Sequence, residues 1–325
     1  KSRDISFVSF FSKRMLGLLF FGFLHLFFLW VGDILALYAL LGFVLILFRN
    51  MASKKLLIWA MVLMILPIVH LLIMISLDNF YPLGLLDMAT TYFINNGISP
   101  VIMNNGEFDL YAFCQIWLDG ESFHQFSTIT FGMPWIRCMN LLLEGRIFKV
   151  LACFLIGLWA GREIIHNELL KNRVLLKKIL FYGFMIGIPM NILLAYSKTQ
   201  PEGVWTIVNY TSYAFGVIPL ACAYSALVAL LLLWGHNYLL KLAPVGQMAL
   251  SNYIFHTLIS TMIYYGIGFG YAFDTSLWLV IVIALIIFAL QIVFSTYWLR
   301  HFRFGPLEWL WRMMTYKKYI KNRKL

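Results

Sequence analysis

The sequence predicts an all-α fold: a polytopic membrane bundle of about eight transmembrane helices, followed by a helix lying in the membrane interface. Three observations carry this. Of 325 residues, 62% are hydrophobic and only 12% charged, with a mean hydropathy of +0.83; soluble domains carry about a quarter charged residues. The apolar residues come in runs that approach or exceed the roughly 20 residues needed to cross a bilayer at about 1.5 Å each. The basic residues gather in short clusters between those runs, as membrane orientation requires. The net charge of +11 therefore forms no continuous basic face, and nucleic-acid binding is excluded as a reading.

Taken in order, the expected spans are 15–31, 34–48, 56–76, 141–161, 179–196, 211–234, 247–270 and 277–299, all in one membrane domain covering residues 1–325. The first two lie in one apolar run, Met15 to Phe48, whose only acidic, basic or histidine residues are His25 and Asp33. As a single helix that run would be about 51 Å long, well beyond the hydrocarbon thickness. A hairpin bent at Gly32-Asp33 is expected instead. Pro67, Pro189 and Pro219 mark kinks within later spans. The connection from Leu77 to Asn140 is too long for a structureless loop, so it is expected to form a cap of short interfacial helices. Within it, Cys114 shares a compartment with Cys138 and could pair with it. The tail from Arg300 carries Pro306 at a helix start, a Glu308–Arg312 pair at i,i+4, and Trp309, Trp311 and Tyr316 among basic residues. That pattern describes an interfacial anchor.

Orientation follows from the connections. Arg137, Arg146, Lys149 and Lys198 fall on one side together with most of the acids. All other Lys and Arg residues fall on the opposite side, which places both termini in the cytoplasm. An even number of spans agrees with that. The chain begins at Lys1 with no signal peptide, and a preceding segment is expected.

Ionisable groups inside a membrane are costly, so each is a functional candidate until a structural duty explains it. Asp33 fits as the N-cap of the second span. His25 stands near mid-membrane, either in an interhelical hydrogen bond or handling protons or ligand. Asp33 follows it by eight residues, about 12 Å along a helix, which argues against a direct dyad. Asn252, His256 and Ser260 recur at i, i+4 and i+8 and share a face of the seventh span. They either join helices or line a water-filled cavity. Glu144, Arg146 and Lys149 form an ion pair at the fourth span's entrance or an anion-receiving vestibule, and Arg162 at its other end meets lipid phosphate or a phosphorylated donor. No cysteine pair has zinc spacing.

Three blocks also carry a resemblance: His25 to Gly42, Val245 to Tyr253, and Gly305 to Arg312, supported by Gly157 to Arg162. In order and approximate spacing they resemble the YeiB-like family of bacterial inner-membrane proteins, whose domain has an unknown-function label. That family is grouped with transmembrane acyltransferases, including the lysosomal enzyme that acetylates heparan glucosamine ends, and is sometimes described as transport-related. The resemblance implies acyl transfer from a cytoplasmic donor, with acyl-coenzyme A as co-substrate, to an extracytoplasmic small-molecule or glycan acceptor. Family members normally begin with two further spans, absent here, and the relatives' catalytic histidine lies in that region. That histidine is not carried over to His25; on the acyl-transfer reading His25 serves as base or polar support with Asp33 towards the acceptor side, and Trp30, Tyr38, Arg146, Asn252 and His256 line the cavity. A small-molecule transporter and a non-catalytic assembly partner are the alternatives.

Overall fold

A computed structural model describes residues 7–98, 118, 122–201, 203–272 and 274–324. Its regular elements are helical: α1 Phe7–Phe28, α2 Leu35–Leu45, α3 Ser53–Ser76, α4 Gly84–Asn95, α5 Phe123–Leu143, α6 Arg146–Asn167, α7 Arg173–Ser197, α8 Val204–Leu233, α9 Ala249–Tyr264, α10 Leu277–His301 and α11 Pro306–Tyr316. Polar residues set several of the starts. Asn172 accepts the Leu175 N–H at 3.0 Å to open α7, and Ser276 accepts that of Leu279 to open α10. Pro306 occupies the first turn of α11, where its missing N–H costs nothing. Glu168 (φ 49°) and Lys317 (φ 49°) close α6 and α11 in the left-handed conformation.

The helices divide into two compact units. The first comprises residues 1–40, 84–138 and 239–325, the second residues 41–83 and 139–238. In the second, α7 packs along α8 through Gly183 and Gly187, one turn apart. A Cβ on Gly183 would lie 2.6 Å from the Pro219 carbonyl oxygen, and one on Gly187 2.9 Å from the Leu220 backbone nitrogen. Small residues at this spacing let two backbones approach closely. Gly187→Leu is therefore expected to destabilise the pair by about 1–3 kcal/mol, read as a lowered thermal midpoint in detergent. An unchanged midpoint would show that the two helices have room to spare. Leu56, Ala60, Leu63, Leu151, Leu155 and Ile218 form the core where α3, α6 and α8 meet. In the first unit, Phe21 of α1, Leu35 of α2 and Leu250 of α9 are buried together, with Leu307 and Trp311 of α11 against them.

The expected helical membrane architecture is present, but the expected count is corrected. Five described helices are long and apolar enough to cross a membrane: α1, α3, α7, α8 and α10. The second span reduces to an 11-residue helix with a 3-10 turn, and the seventh to the 16 residues of α9. The fourth, α6, carries Arg146, Lys149, Arg162 and Glu163, so its longest uncharged run is residues 150–161. Its start is displaced too. The chain turns at Gly145 (φ 59°), and residues upstream belong to α5, a 21-residue helix reaching into the segment expected as a cap of short helices.

Much apolar surface faces outward. On α10, Leu277 is 76% exposed and Val293 67%. Such surface in water would be an aggregation liability and is ordinary against lipid. The protein associates with the bilayer through these helices. Cys138 is free and exposed in the structure; its expected partner Cys114 lies outside the described residues.

Candidate functional site

The site forms where α1 stops. The His25 carbonyl accepts hydrogen bonds from both Leu29 (3.0 Å) and Trp30 (2.9 Å), which closes the last turn. The following residues, Trp30 to Gly32, reverse the chain. Gly32 lies so close to the Trp30 ring that a Cβ there would come within 2.6 Å of it. Asp33 then opens α2 as its N-cap, accepting the Ala36 N–H on Oδ2 at 2.7 Å. The capping role expected of Asp33 is thus observed.

The expectation about its distance from His25 is overturned. That distance was reckoned along a helix, and the reversal folds Asp33 back onto α1. The carboxylate Oδ1 lies 3.0 Å from His25 Nδ1, and both side chains are buried. The contact is bent away from the linear geometry of a hydrogen bond, so it is a close charge contact between two enclosed groups. On the other side of the ring, Nε2 lies 3.0 Å from the Thr257 hydroxyl of α9. Thr257 Oγ1 is also 3.2 Å from the Tyr253 carbonyl one turn earlier. One hydroxyl proton therefore has two acceptors within reach. When Nδ1 carries the ring proton towards Asp33, the Nε2 lone pair faces Thr257 and competes with the carbonyl for that proton. The Tyr253 ring packs 4.8 Å from the imidazole, and Trp30 meets it edge-on at 6.4 Å. Arg137 of α5 donates from Nη2 to the Asp33 backbone carbonyl at 3.3 Å.

The other sequence candidates are distributed differently. Trp30 stands at the site with 40% of its surface exposed, and Tyr38 begins the second turn of α2. Asn252 does not reach His25. Its Nδ2 donates to Ser295 Oγ at 2.9 Å, and its carbonyl accepts from Gln291 at 2.9 Å, so it fastens α9 to α10. His256 is exposed. On this helix the residues that face His25 are Tyr253 and Thr257, one position on from Asn252 and His256. Their i,i+4 spacing was the available signal, masked by the stronger polarity of Asn252 and His256. Arg137 gave no signal beyond its charge.

Arg146 pairs with Glu144 at the mouth of a cleft of about 90 Å3 shared with Lys198, Asn209, Tyr210 and Tyr213 in the second unit. Arg162 donates to the carbonyls of Met51 (2.5 Å) and Arg49 (2.6 Å), closing the turn before α3. Two of its five donors are used this way. Glu308 departs from the expected i,i+4 pair with Arg312. Its carboxylate accepts from Ser251 instead, from the backbone N–H at 3.0 Å and the hydroxyl at 2.5 Å. Among the described residues, no group of three His, Cys, Asp or Glu side chains could hold a metal ion.

A family model described as "Protein of unknown function (DUF418)" matches residues 160–318. The chain is 31% identical over 320 residues to the uncharacterized protein YxaH of Bacillus subtilis, covering 95% of this chain and 72% of that one. It is 47% identical over 76 residues to the uncharacterized protein YeiB of Escherichia coli, 23% of this chain and 19% of that one. An uncharacterized 39.9 kDa protein from the amylase 3' region of Bacillus acidopullulyticus is 30% identical over 197 residues, 54% of this chain and 55% of that one. No solved structure matches.

Proposed function

Because this chain belongs to the YeiB-like DUF418 family of helical membrane proteins, we propose that it is a membrane acyltransferase whose general base is His25. The observation that supports this best is the line Asp33–His25–Thr257: a carboxylate at Nδ1 and a hydroxyl at Nε2, both at 3.0 Å. A histidine held by a carboxylate on one nitrogen, with its other lone pair on a hydroxyl, has the ground-state arrangement of base catalysis. In the reaction, an acceptor hydroxyl or amine takes the position now filled by Thr257 Oγ1. Its proton passes to Nε2 as its oxygen or nitrogen attacks the thioester carbonyl carbon of an acyl-coenzyme A. The carbon–sulfur bond breaks, and the imidazolium returns the proton to the departing thiolate. Asp33 stabilises the imidazolium through its proximity to Nδ1. On this proposal the donor arrives from the cytoplasm, the side to which the positive-inside bias of the clustered Lys and Arg residues assigns both termini as an expectation.

The test is purified full-length protein with labelled acyl-coenzyme A and a panel of hydroxyl and amine acceptors. His25→Ala is expected to lower turnover by about 10²–10⁴-fold. Turnover undiminished in the variant would remove His25 from the chemistry, and its absence from the wild type across all acceptors would end the enzyme reading.

A second reading is favoured by one observation. His25 is 0% exposed and its Nε2 lies in hydrogen-bond reach of Thr257, as suits a bond that fastens α1 to α9 in an assembly or transport protein. Under it, His25→Ala lowers the thermal midpoint and leaves acyl turnover out of the account.

A further inference from the structure

The two C-terminal sequence blocks, Val245–Tyr253 and Gly305–Arg312, meet at Ser251 and Glu308, within the first unit. Their junction is fixed by Glu308. Its two oxygens are taken by Ser251, and Gly305 lies so close that a Cβ would stand 2.1 Å from Oε2. The carboxylate thereby caps the first turn of α9. The Ser251 hydroxyl oxygen also accepts the Leu307 N–H at 3.0 Å. A third element, α1, completes the arrangement. Trp311 Nε1 donates to the Arg14 carbonyl at 2.8 Å, and the indole lies where a Cβ on Gly17 would meet it at 2.7 Å.

These contacts enclose a cleft of about 70 Å3 lined by Arg14, Gln247, Phe304, Glu308, Trp311 and Arg312, among others. Two guanidiniums and one carboxylate face it, leaving the cleft positive. Each guanidinium lies over a ring: Arg14 over Trp311 at 4.7 Å and Arg312 over Phe304 at 4.2 Å from the ring centroid. Stacking occupies the face of a guanidinium and leaves its in-plane N–H donors available. Glu308 accepts from Ser251, and among the described residues no ion pair joins it to either arginine. Two forks of like charge in one cleft repel unless an anion lies between them. The volume matches a tetrahedral phosphate group, about two to three waters.

We propose that this cleft binds a phosphate group, with the two arginine forks as its donors and Gln247 at its edge. The bearer is a soluble phosphate ester or an anionic lipid headgroup, since both present the same oxygens. The inference does not depend on His25 being a base and is read by binding, not turnover.

The test uses the full chain purified in lipid-free detergent. Binding of radiolabelled inorganic pyrophosphate is measured by equilibrium dialysis, and retention of phosphatidic acid by native mass spectrometry. Arg14→Gln and Arg312→Gln are each expected to weaken binding by about tenfold or more, and Arg303→Gln, exposed outside the cleft lining, to leave it unchanged. Arg312→Lys keeps the charge but loses the fork, and a several-fold loss is expected; it serves if the glutamine variants fail to fold. Pyrophosphate bound by the wild type identifies a soluble ester, and phosphatidic acid alone a lipid. Binding of neither, binding by Arg14→Gln and Arg312→Gln as tight as that of the wild type, or a loss in Arg303→Gln equal to theirs would overturn the proposal.

Discussion

Gly22→Ala is expected to unmake the His25 site from three residues away. A Cβ at Gly22 would lie 2.3 Å from the Ala36 nitrogen, 2.7 Å from its Cα and 2.9 Å from the Leu35 carbonyl carbon. All three are backbone atoms, and no rotamer change moves them aside. To reach ordinary contact, α2 must withdraw from α1 by about 1 Å, which overpacks the hairpin at a cost of about 1–3 kcal/mol. The movement falls at the first turn of α2, where Asp33 both caps the helix and touches His25. A shift of that size at Oδ1 lengthens the 3.0 Å charge contact with His25 Nδ1 to about 4 Å and weakens its hold on the imidazole. The expected result is a lowered thermal midpoint and, in the acyl-transfer assay, turnover close to that of His25→Ala. Gly157→Ala on α6 is the control, because a Cβ there meets nothing within 4 Å and alanine is the better helix former. Equal midpoints for the two alanine variants would show that the hairpin is not packed as tightly as described.

That close approach also explains why the sequence revealed the helices more readily than the site. Long apolar runs predict membrane helices because burying backbone polar groups in hydrocarbon leaves few other structures. The hairpin was legible for the same reason, since one helix from Met15 to Phe48 would have been too long. The number of spans was less legible. Hydropathy reads α9 through to residue 270, but the helix ends at Tyr264: the Tyr265 N–H closes its last turn on Thr261, and Phe269, Tyr271 and Ala272 then donate back to the carbonyls of Met262, Ile263 and Tyr264. The Asp33–His25 contact was illegible because spacing along a helix was applied across a reversal. Its distance is set by Gly22 against Ala36 and by Gly32 beneath Trp30, which are tertiary contacts. Glu308 shows the same limit. Its local partner, Arg312, was the nearest in sequence, whereas Ser251 offers two donors at a helix N-terminus.

Asp33 supplies the second large effect, because two substitutions separate its two duties. Asparagine serves as an N-cap about as well as aspartate, so Asp33→Asn keeps an acceptor for the Ala36 N–H at 2.7 Å. It removes the negative charge 3.0 Å from His25 Nδ1. Stability should fall by about 1 kcal/mol or less, whereas a base that depends on this carboxylate should lose about 10³–10⁴-fold in turnover, as happens when the orienting acid of a triad becomes an amide. Asp33→Ala removes the cap and the charge together. It leaves the Ala36 N–H without its acceptor and the buried His25 without its neighbouring charge, and the combined loss should reach about 2–4 kcal/mol. Thermal unfolding of the two variants, set beside their turnover, divides the readings. A large turnover loss in Asp33→Asn at nearly wild-type stability places the carboxylate in the chemistry. If the two variants instead differ only in stability, Asp33 is a cap that happens to touch a buried histidine. The base proposed for this protein would then have to be sought at another residue.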